Sequence, residues 1–211
     1  MAKSVVVFDL GGVVFHWAPL TLLKQVMPHH AQDDASAKHL NDQIFQTMNV
    51  HGDWAQFDLG LVEPKELAER IERRTGLASQ DILALVDALS PHMTVKQDTV
   101  ELMSDLREAG HRLVYLSNMP LGLAQWIEQD HAFFQWFDNG IFSARVQQVK
   151  PDPIIFKTAT EHLGLHHTPT VFLDDMQRNI DVAVQQGWQG VRFVSASQAR
   201  QDLVGLGLLP A

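Results

Sequence analysis

The chain has 211 residues, 45% hydrophobic and 19% charged, a balance that supports a sizeable core and excludes a disordered chain. That length corresponds to one domain, or to one domain carrying an inserted second one. A net charge of −9 leaves no electrostatic footprint for nucleic acid or an anionic membrane surface, though it allows a local basic pocket for a small anion, and the absence of cysteine excludes disulfides, thiolate metal sites and a cysteine nucleophile.

The first element is the run Val5-Val6-Val7-Phe8. Continuous β-branched and aromatic residues predict a strand buried on both faces. The run stops at Asp9 with no small-residue cleavage site after it, so it does not read as a signal peptide. No apolar run approaches the roughly 20 residues needed to cross a bilayer. The expectation is a soluble cytoplasmic protein, monomer or homodimer, with no membrane or nucleic-acid partner. Gly11-Gly12 then breaks the strand pattern.

From about residue 19 to residue 89 the sequence reads helical. Pro64 marks a helix start with Glu63 and Glu66 around it; Leu67 and Ile71 share a face, and Arg73-Arg74 before Gly76 close the helix. Ser79 is the expected N-cap of the next helix, 81–89. After Pro91, strands and helices alternate. A helix at 100–109 stops at Gly110. A strand at 113–116 ends in Ser117-Asn118, and a helix follows at 121–129. Ile141-Phe142 form a short strand. A helix at 154–163 stops at Gly164, a strand at 171–173 ends in Asp174-Asp175, a helix at 179–186 stops at Gly187, and a last strand covers 191–194. Repeated strand–helix units predict an α/β fold: a doubly wound, Rossmann-like parallel sheet covered by helices. The helical stretch after the first strand reads as an inserted cap. The expected boundaries are a core of 1–17 and 91–211 and a cap of 18–90.

Three predicted strands end in polar residues: Asp9, Ser117-Asn118 and Asp174-Asp175. Ligands of open α/β sheets bind at the carboxyl ends of the strands, so these groups should converge. Lys150, on the loop after the short strand, belongs to the same edge. Three adjacent carboxylates repel one another unless a cation sits among them, and oxygen-only ligands at an open mouth suit Mg²⁺. Lys150 balances charge and can hold a phosphate oxygen, as can Ser117. An ionised aspartate placed in line can attack phosphorus, with metal and lysine stabilising the transferring group. Taken singly, each residue has an ordinary reading as a turn, a helix cap or a solvated loop charge. The set, in this order, is what points to a site.

The stretches Phe8-Asp9-Leu10-Gly11-Gly12-Val13-Val14, Leu116-Ser117-Asn118, Lys150-Pro151 and Phe172-Leu173-Asp174-Asp175 with Asn179-Ile180 resemble the four ordered motifs of the haloacid dehalogenase (HAD) superfamily. The resemblance covers the whole chain, including a helical cap inserted after the first motif. The Asp-Leu-Gly-Gly and Asp-Asp forms are most similar to its small-sugar-phosphate phosphatases, the group of the bacterial α-D-glucose-1-phosphate phosphatases. This implies a Mg²⁺-dependent phosphomonoesterase acting on a small phosphorylated substrate, a sugar phosphate being favoured. By position, the resemblance makes Asp9 the nucleophile, forming an aspartyl-phosphate, and a metal ligand. It makes the backbone carbonyl of Gly11 a second ligand, Asp175 the ligand of the fourth motif, and Asp174 a ligand or its immediate neighbour. Ser117 and Asn118 would bind phosphate, and Lys150 would stabilise both phosphate and Asp9.

One position departs from the family pattern. Phosphatases of the superfamily usually carry a second aspartate two residues after the nucleophile, as general acid; here it is Gly11. Two other readings therefore stay open: a metal-independent 2-haloacid dehalogenase-type hydrolase, and a catalytically weak HAD-fold binding protein. His16 is a candidate to line the substrate pocket and to supply the missing proton. Trp17 reads either as a packed hinge at the start of the cap or as a second residue lining the pocket. His51, Asp53 and Trp54 lie in a predicted helix connection that either touches substrate or turns at the surface. The pairs His29-His30 and His166-His167 read as surface residues, and Phe133, Phe134, Trp136 and Phe137 as core.

Overall fold

Val5–Phe8 forms β1, with every residue buried. The structure, a computed structural model, describes residues 3–46 and 49–210. Four further strands follow: β2 (Arg112–Ser117), β3 (Asn139–Phe142), β4 (Thr170–Asp174) and β5 (Gln189–Arg192). All pair in parallel in the order β3-β2-β1-β4-β5. The apolar β1 and β4 lie inside the sheet, while the edge strands β3 and β5 carry polar residues and a glycine, the usual blunting of an exposed edge.

Successive strand residues face opposite sides of the sheet, and this splits the core in two. Val6, Phe8, Leu113, Tyr115, Val171 and Leu173 belong to one buried cluster. Val5, Val7, Val114, Leu116 and Phe172 belong to the other. The first cluster is the larger because it also holds the helical insertion: Leu22, Leu23, Ile44, Phe57, Leu67, Ile71, Ile82 and Leu85 all join it. Phe134 and Phe137 pack there against Tyr115, as expected of that aromatic cluster.

The insertion runs through α1 (Pro19–Val26), α2 (Asp34–Ile44), α3 (Asp53–Asp58), α4 (Pro64–Thr75), α5 (Ser79–Asp87) and α6 (Leu89–His92), and the chain returns to the sheet through α7 (Gln97–Glu108). Its entry and exit strands are stitched together: the His16 N–H donates to Thr94 O (2.8 Å) and the Lys96 N–H to Val14 O (2.8 Å). The remaining helices are α8 (Leu121–Asp130) after β2, α9 (Ser143–Val146) and α10 (Pro153–His162) before β4, α11 (Gln177–Gln185) before β5, and α12 (Ala196–Gly205) after it.

From β1 the chain steps outward through β2 to β3, then crosses back to β4 on the other side of β1. The reversal lies between β1 and β4, and the crevice beyond their carboxyl ends is where such sheets bind ligands.

The element expectations hold with three local differences. Ser79 is not an N-cap: it is the first residue of α5, Ala78 holds the cap position, and the Ser79 hydroxyl donates to Glu72 Oε2 (2.5 Å). The last strand ends at Arg192, because β5 pairs with β4 only from Gln189 to Arg192. Finally, α12 was not expected, although an N-cap marks it: Ser195 Oγ accepts from the Gln198 N–H (3.2 Å).

Candidate active site

Asp9 leaves β1 as the strand ends, Ser117 closes β2 and Asp174 closes β4, so strand pairing alone sets them side by side. Three donors converge on Asp9 Oδ1: the Leu10 N–H (2.7 Å), Ser117 Oγ (2.9 Å) and Lys150 Nζ (3.0 Å). Lys150 Nζ also reaches Asp174 Oδ2 (2.7 Å). Asp174 Oδ1 accepts from the Met176 N–H (2.8 Å) and from Asn179 Nδ2 (2.9 Å). Lys150 and Asp174 are buried, at 3% and 0% exposure, and Asp9 is at 7%. Asn118 uses its side-chain amide in both directions on the main chain of Lys150: Oδ1 accepts from its N–H (2.8 Å) and Nδ2 donates to its carbonyl (2.9 Å). Its side chain therefore holds the lysine in place.

The electrostatics follow from burial. Burial pushes the Asp9 carboxyl up to about 7; Lys150 opposes this, and Asp174 and Asp175 add to it. Burial, and then the neighbouring Asp174, also raises Asp175. Burial alone would lower the Lys150 ammonium, but Asp174 and Asp9 outweigh it and hold the lysine above its ordinary value.

Asp9, Asp174 and Asp175 each offer an oxygen, and these atoms lie within 4.8 Å of one another. Lys150 bridges Asp9 and Asp174, and Lys96 adds a positive charge that acts on Asp175. Asn179 Oδ1 is buried beside them and accepts no hydrogen bond among the described residues. A cluster of hard oxygen donors fits a divalent cation such as Mg²⁺. Gly12 makes the arrangement sterically possible. Its φ is +78°, and a Cβ there would sit 2.7 Å from Asp175 Oδ2, so only glycine lets the chain pass so close. Gly11 is different: it is not in the left-handed region, and a Cβ would meet only Trp17 Cβ at 3.9 Å. The backbone thus does not forbid a side chain where the family usually has its second aspartate.

These groups form the floor of a cavity of about 220 Å³. Gly11, Asn118 and Arg178 line it as well. Its roof comes from the insertion, through Phe45, Trp54 and Asp58, with Trp17 at the base. The aromatic rings form a continuous edge-to-face series: Trp17 to Phe45 at 5.6 Å and Phe45 to Trp54 at 4.3 Å between centroids. Asp58 sits at the end of α3, and burial alone raises its carboxyl to about 8.

The structure thus gathers Asp9, Gly11, Ser117, Asn118, Lys150 and Asp175 around one cavity, with Asp174 directly behind. His16 is a correction. It is exposed and does not line the cavity, and its main chain is held in the strand crossing with Thr94. Of the two readings of Trp17, the structure favours the pocket: it is part of the cavity wall. Of the predicted connection at 51–54, Trp54 faces the cavity, His51 is exposed, and Asp53 is paired with Arg74 (2.8 Å). Phe45 and Asp58 were missed. The signal for Asp58 was its spacing: it lies four residues after Trp54, hence on the same helical face.

A family model described as haloacid dehalogenase-like hydrolase matches residues 3–187. The sesquiterpene phosphatase astK of Aspergillus oryzae is 23% identical over 198 residues, covering 93% of each chain. Flavin mononucleotide hydrolase 1 of Arabidopsis thaliana is 27% identical over 164 residues, 74% of this chain and 62% of that protein. Among solved structures, the HAD family enzyme bt-2542 of Bacteroides thetaiotaomicron, in complex with magnesium and inorganic phosphate, superposes with a TM-score of 0.68 at 22% identity, over 90% of this chain and 93% of that one. With the model match spanning most of the chain and the four motifs converging on one cavity, this protein belongs to the haloacid dehalogenase-like hydrolase family.

Proposed function

We propose that the protein is a Mg²⁺-dependent phosphomonoesterase that acts on a small phosphate ester through an aspartyl-phosphate on Asp9. The observation that carries this reading is the convergence of Lys150 Nζ and Ser117 Oγ on Asp9 Oδ1, at 3.0 and 2.9 Å, beside two further carboxylates. One carboxylate is oriented for attack, and cationic and hydroxyl donors stand where charge develops on the transferring phosphoryl group. The Asp9–phosphorus bond forms as the ester oxygen departs, and water then hydrolyses the acyl phosphate. Ser117 and Lys150 hold the phosphate oxygens in both steps, while Asn118 keeps Lys150 in register. Asp9, Asp174, Asp175 and the carbonyl of Gly11 would hold Mg²⁺, which when bound supplies positive charge against the phosphate.

The helices of residues 18–90 act as a cap over this floor, opening to admit substrate and closing to exclude water. The paired crossing at residues 14–16 and 94–96 is the hinge. A sugar phosphate fits the motif resemblance. The aromatic roof also suits an alcohol with an apolar or ring face, in keeping with the names of the two phosphate-cleaving relatives.

The three clustered carboxylates favour this reading over the metal-independent dehalogenase, whose chemistry needs no such set of oxygen donors. Turnover of glucose 1-phosphate, flavin mononucleotide, a prenyl phosphate and 2-chloropropionate, with Mg²⁺ and with excess chelator, tests it. Phosphate release that stops on chelation is expected. Chloride release that persists in chelator would overturn it.

A further inference from the structure

With glycine two residues after Asp9, the chain leaving β1 offers no side chain to protonate a departing oxygen. His16 does not line the cavity. Among the described residues that do, the carboxyl groups are those of Asp9, Asp175 and Asp58, and the first two belong to the cluster at the floor. Asp58 stands apart from them, on the insertion.

Its position is fixed by contacts to the sheet side of the molecule. The Asp58 carbonyl accepts from Ser143 Oγ (2.5 Å), and the same hydroxyl accepts from the Met119 N–H (2.8 Å), two residues beyond Ser117. The turn that follows presses onto α9: Gly60 has φ +68°, and a Cβ there would lie 2.8 Å from Ala144 O. The end of α3 is therefore tied to the chain just past β3 and close to the phosphate-side residues of β2.

The carboxyl itself is electrostatically isolated. On its own helix, Asp53 is taken by Arg74 of α4, and on the facing α9, Arg145 is taken by Glu128 of α8. Across the cavity stand Asp9, Lys150, Asp175 and Arg178. Asp58 is half-buried at the cavity wall, and burial raises its carboxyl to about 8, toward the protonated form a proton donor needs.

We infer that Asp58 is the general acid of the phosphatase reaction proposed above, delivering its proton to the leaving oxygen from the helical insertion in place of the residue that Gly11 lacks. As the Asp9–phosphorus bond forms and the phosphorus–oxygen bond to the alcohol breaks, the departing oxygen takes the Asp58 proton. The alcohol leaves neutral and Asp58 becomes a carboxylate. That carboxylate accepts a proton from water as the water oxygen attacks phosphorus, which frees Asp9 and restores the neutral acid. Ester and water become alcohol and phosphate, with no other reactant. Because the acid rides on the insertion, proton delivery requires the closed arrangement, and an open enzyme cannot complete the first step.

The test compares two esters of similar size: p-nitrophenyl phosphate, with a good leaving group, and benzyl phosphate, with a poor one. Each is assayed across pH in the Mg²⁺-loaded wild type and in Asp58→Asn. In the wild type, kcat on benzyl phosphate should fall above about pH 8. Asp58→Asn should lose about 10²–10⁴-fold on benzyl phosphate, lose far less on p-nitrophenyl phosphate, and show no alkaline limb. Equal losses on both esters, no loss on either, or an unchanged alkaline limb would overturn the assignment. If Asp58→Asn does not fold, the wild type alone decides: the ratio of the two rates should widen above pH 9, and a constant ratio overturns the proposal. A wild type that hydrolyses neither ester overturns the phosphatase reading and this assignment with it.

Discussion

The floor and the roof of the cavity bury carboxyl groups under different rules. On the floor, Asp9 and Asp174 share Lys150 at 3.0 and 2.7 Å, and Asp174 takes further bonds from Met176 and Asn179. There, fixed donors satisfy the buried carboxyl oxygens. On the roof, no donor holds the Asp58 carboxyl among the described residues, and burial raises it to about 8. The two carboxyl groups differ in what is fixed upon them: a lysine, a hydroxyl and a backbone N–H on Asp9, and burial alone on Asp58. The division also follows the architecture. Groups at strand ends inherit the rigidity of the sheet, whereas a group on the insertion moves with it.

The largest expected effect comes from breaking the floor at Asp9. Asp9→Asn keeps an oxygen to accept from Leu10 and Ser117, so the fold should survive, but an amide does not attack phosphorus. Turnover should fall by on the order of 10⁴–10⁶-fold. Steady-state kinetics beside a melting curve checks this, and a folded, active Asp9→Asn would remove Asp9 from the mechanism.

A middle-sized effect is expected from crowding the floor without changing its charge. In Gly12→Ala the new methyl meets Asp175 Oδ2 at 2.7 Å, at a φ of +78°. Asp175 must move away from its partners, so Mg²⁺ affinity should fall by about 10–100-fold. Thermal shift against Mg²⁺ concentration measures it. An unchanged Mg²⁺ response would mean that Asp175 does not help hold the ion.

The smallest effect sharpens the contrast by stabilising the roof. The Asp58 carboxyl is raised from an ordinary 3.8 to about 8. Between those values the folded protein holds a proton that the unfolded chain has released. Stability therefore falls as pH rises from about 4 to about 8, and is fully present below that window. Asp58→Asn removes this dependence. Its Tm should match the wild type near pH 4 and exceed it at pH 8. A wild type and variant that melt alike at both pH values would mean that Asp58 ionises freely. A stabilised but slower variant is the usual trade at a catalytic group.

The α/β layout and most of the floor were legible in the sequence. Residues 5–8 are apolar on both faces, which suits only an interior strand, and the residue that ends such a run in a parallel sheet stands at the ligand edge. The same logic located Ser117 and Asp174. Helix stops were legible because glycine at a left-handed position is a local requirement: Gly76, Gly110, Gly164 and Gly187 all have positive φ. The second role of Asn118, clamping Lys150 across 32 residues, had no local signal.

The roof was read less well, and for a physical reason. A strand end has its direction set by hydrogen bonding to its neighbours, so sequence pattern carries through to position. A helix in the insertion has its rotation set by what it packs against, here α4, α9 and the shared apolar cluster. His16 lies close to Asp9 along the chain yet falls outside the cavity, because the strand crossing holds it. Asp58, 49 residues from Asp9 along the sequence, lines the cavity because Ser143 and α9 hold the end of its helix. Local propensity and periodicity determined which segments would be strands and which residues would end them. Only tertiary packing decided which face of the inserted helices closes the site, since that choice depends on contacts between segments far apart in the chain.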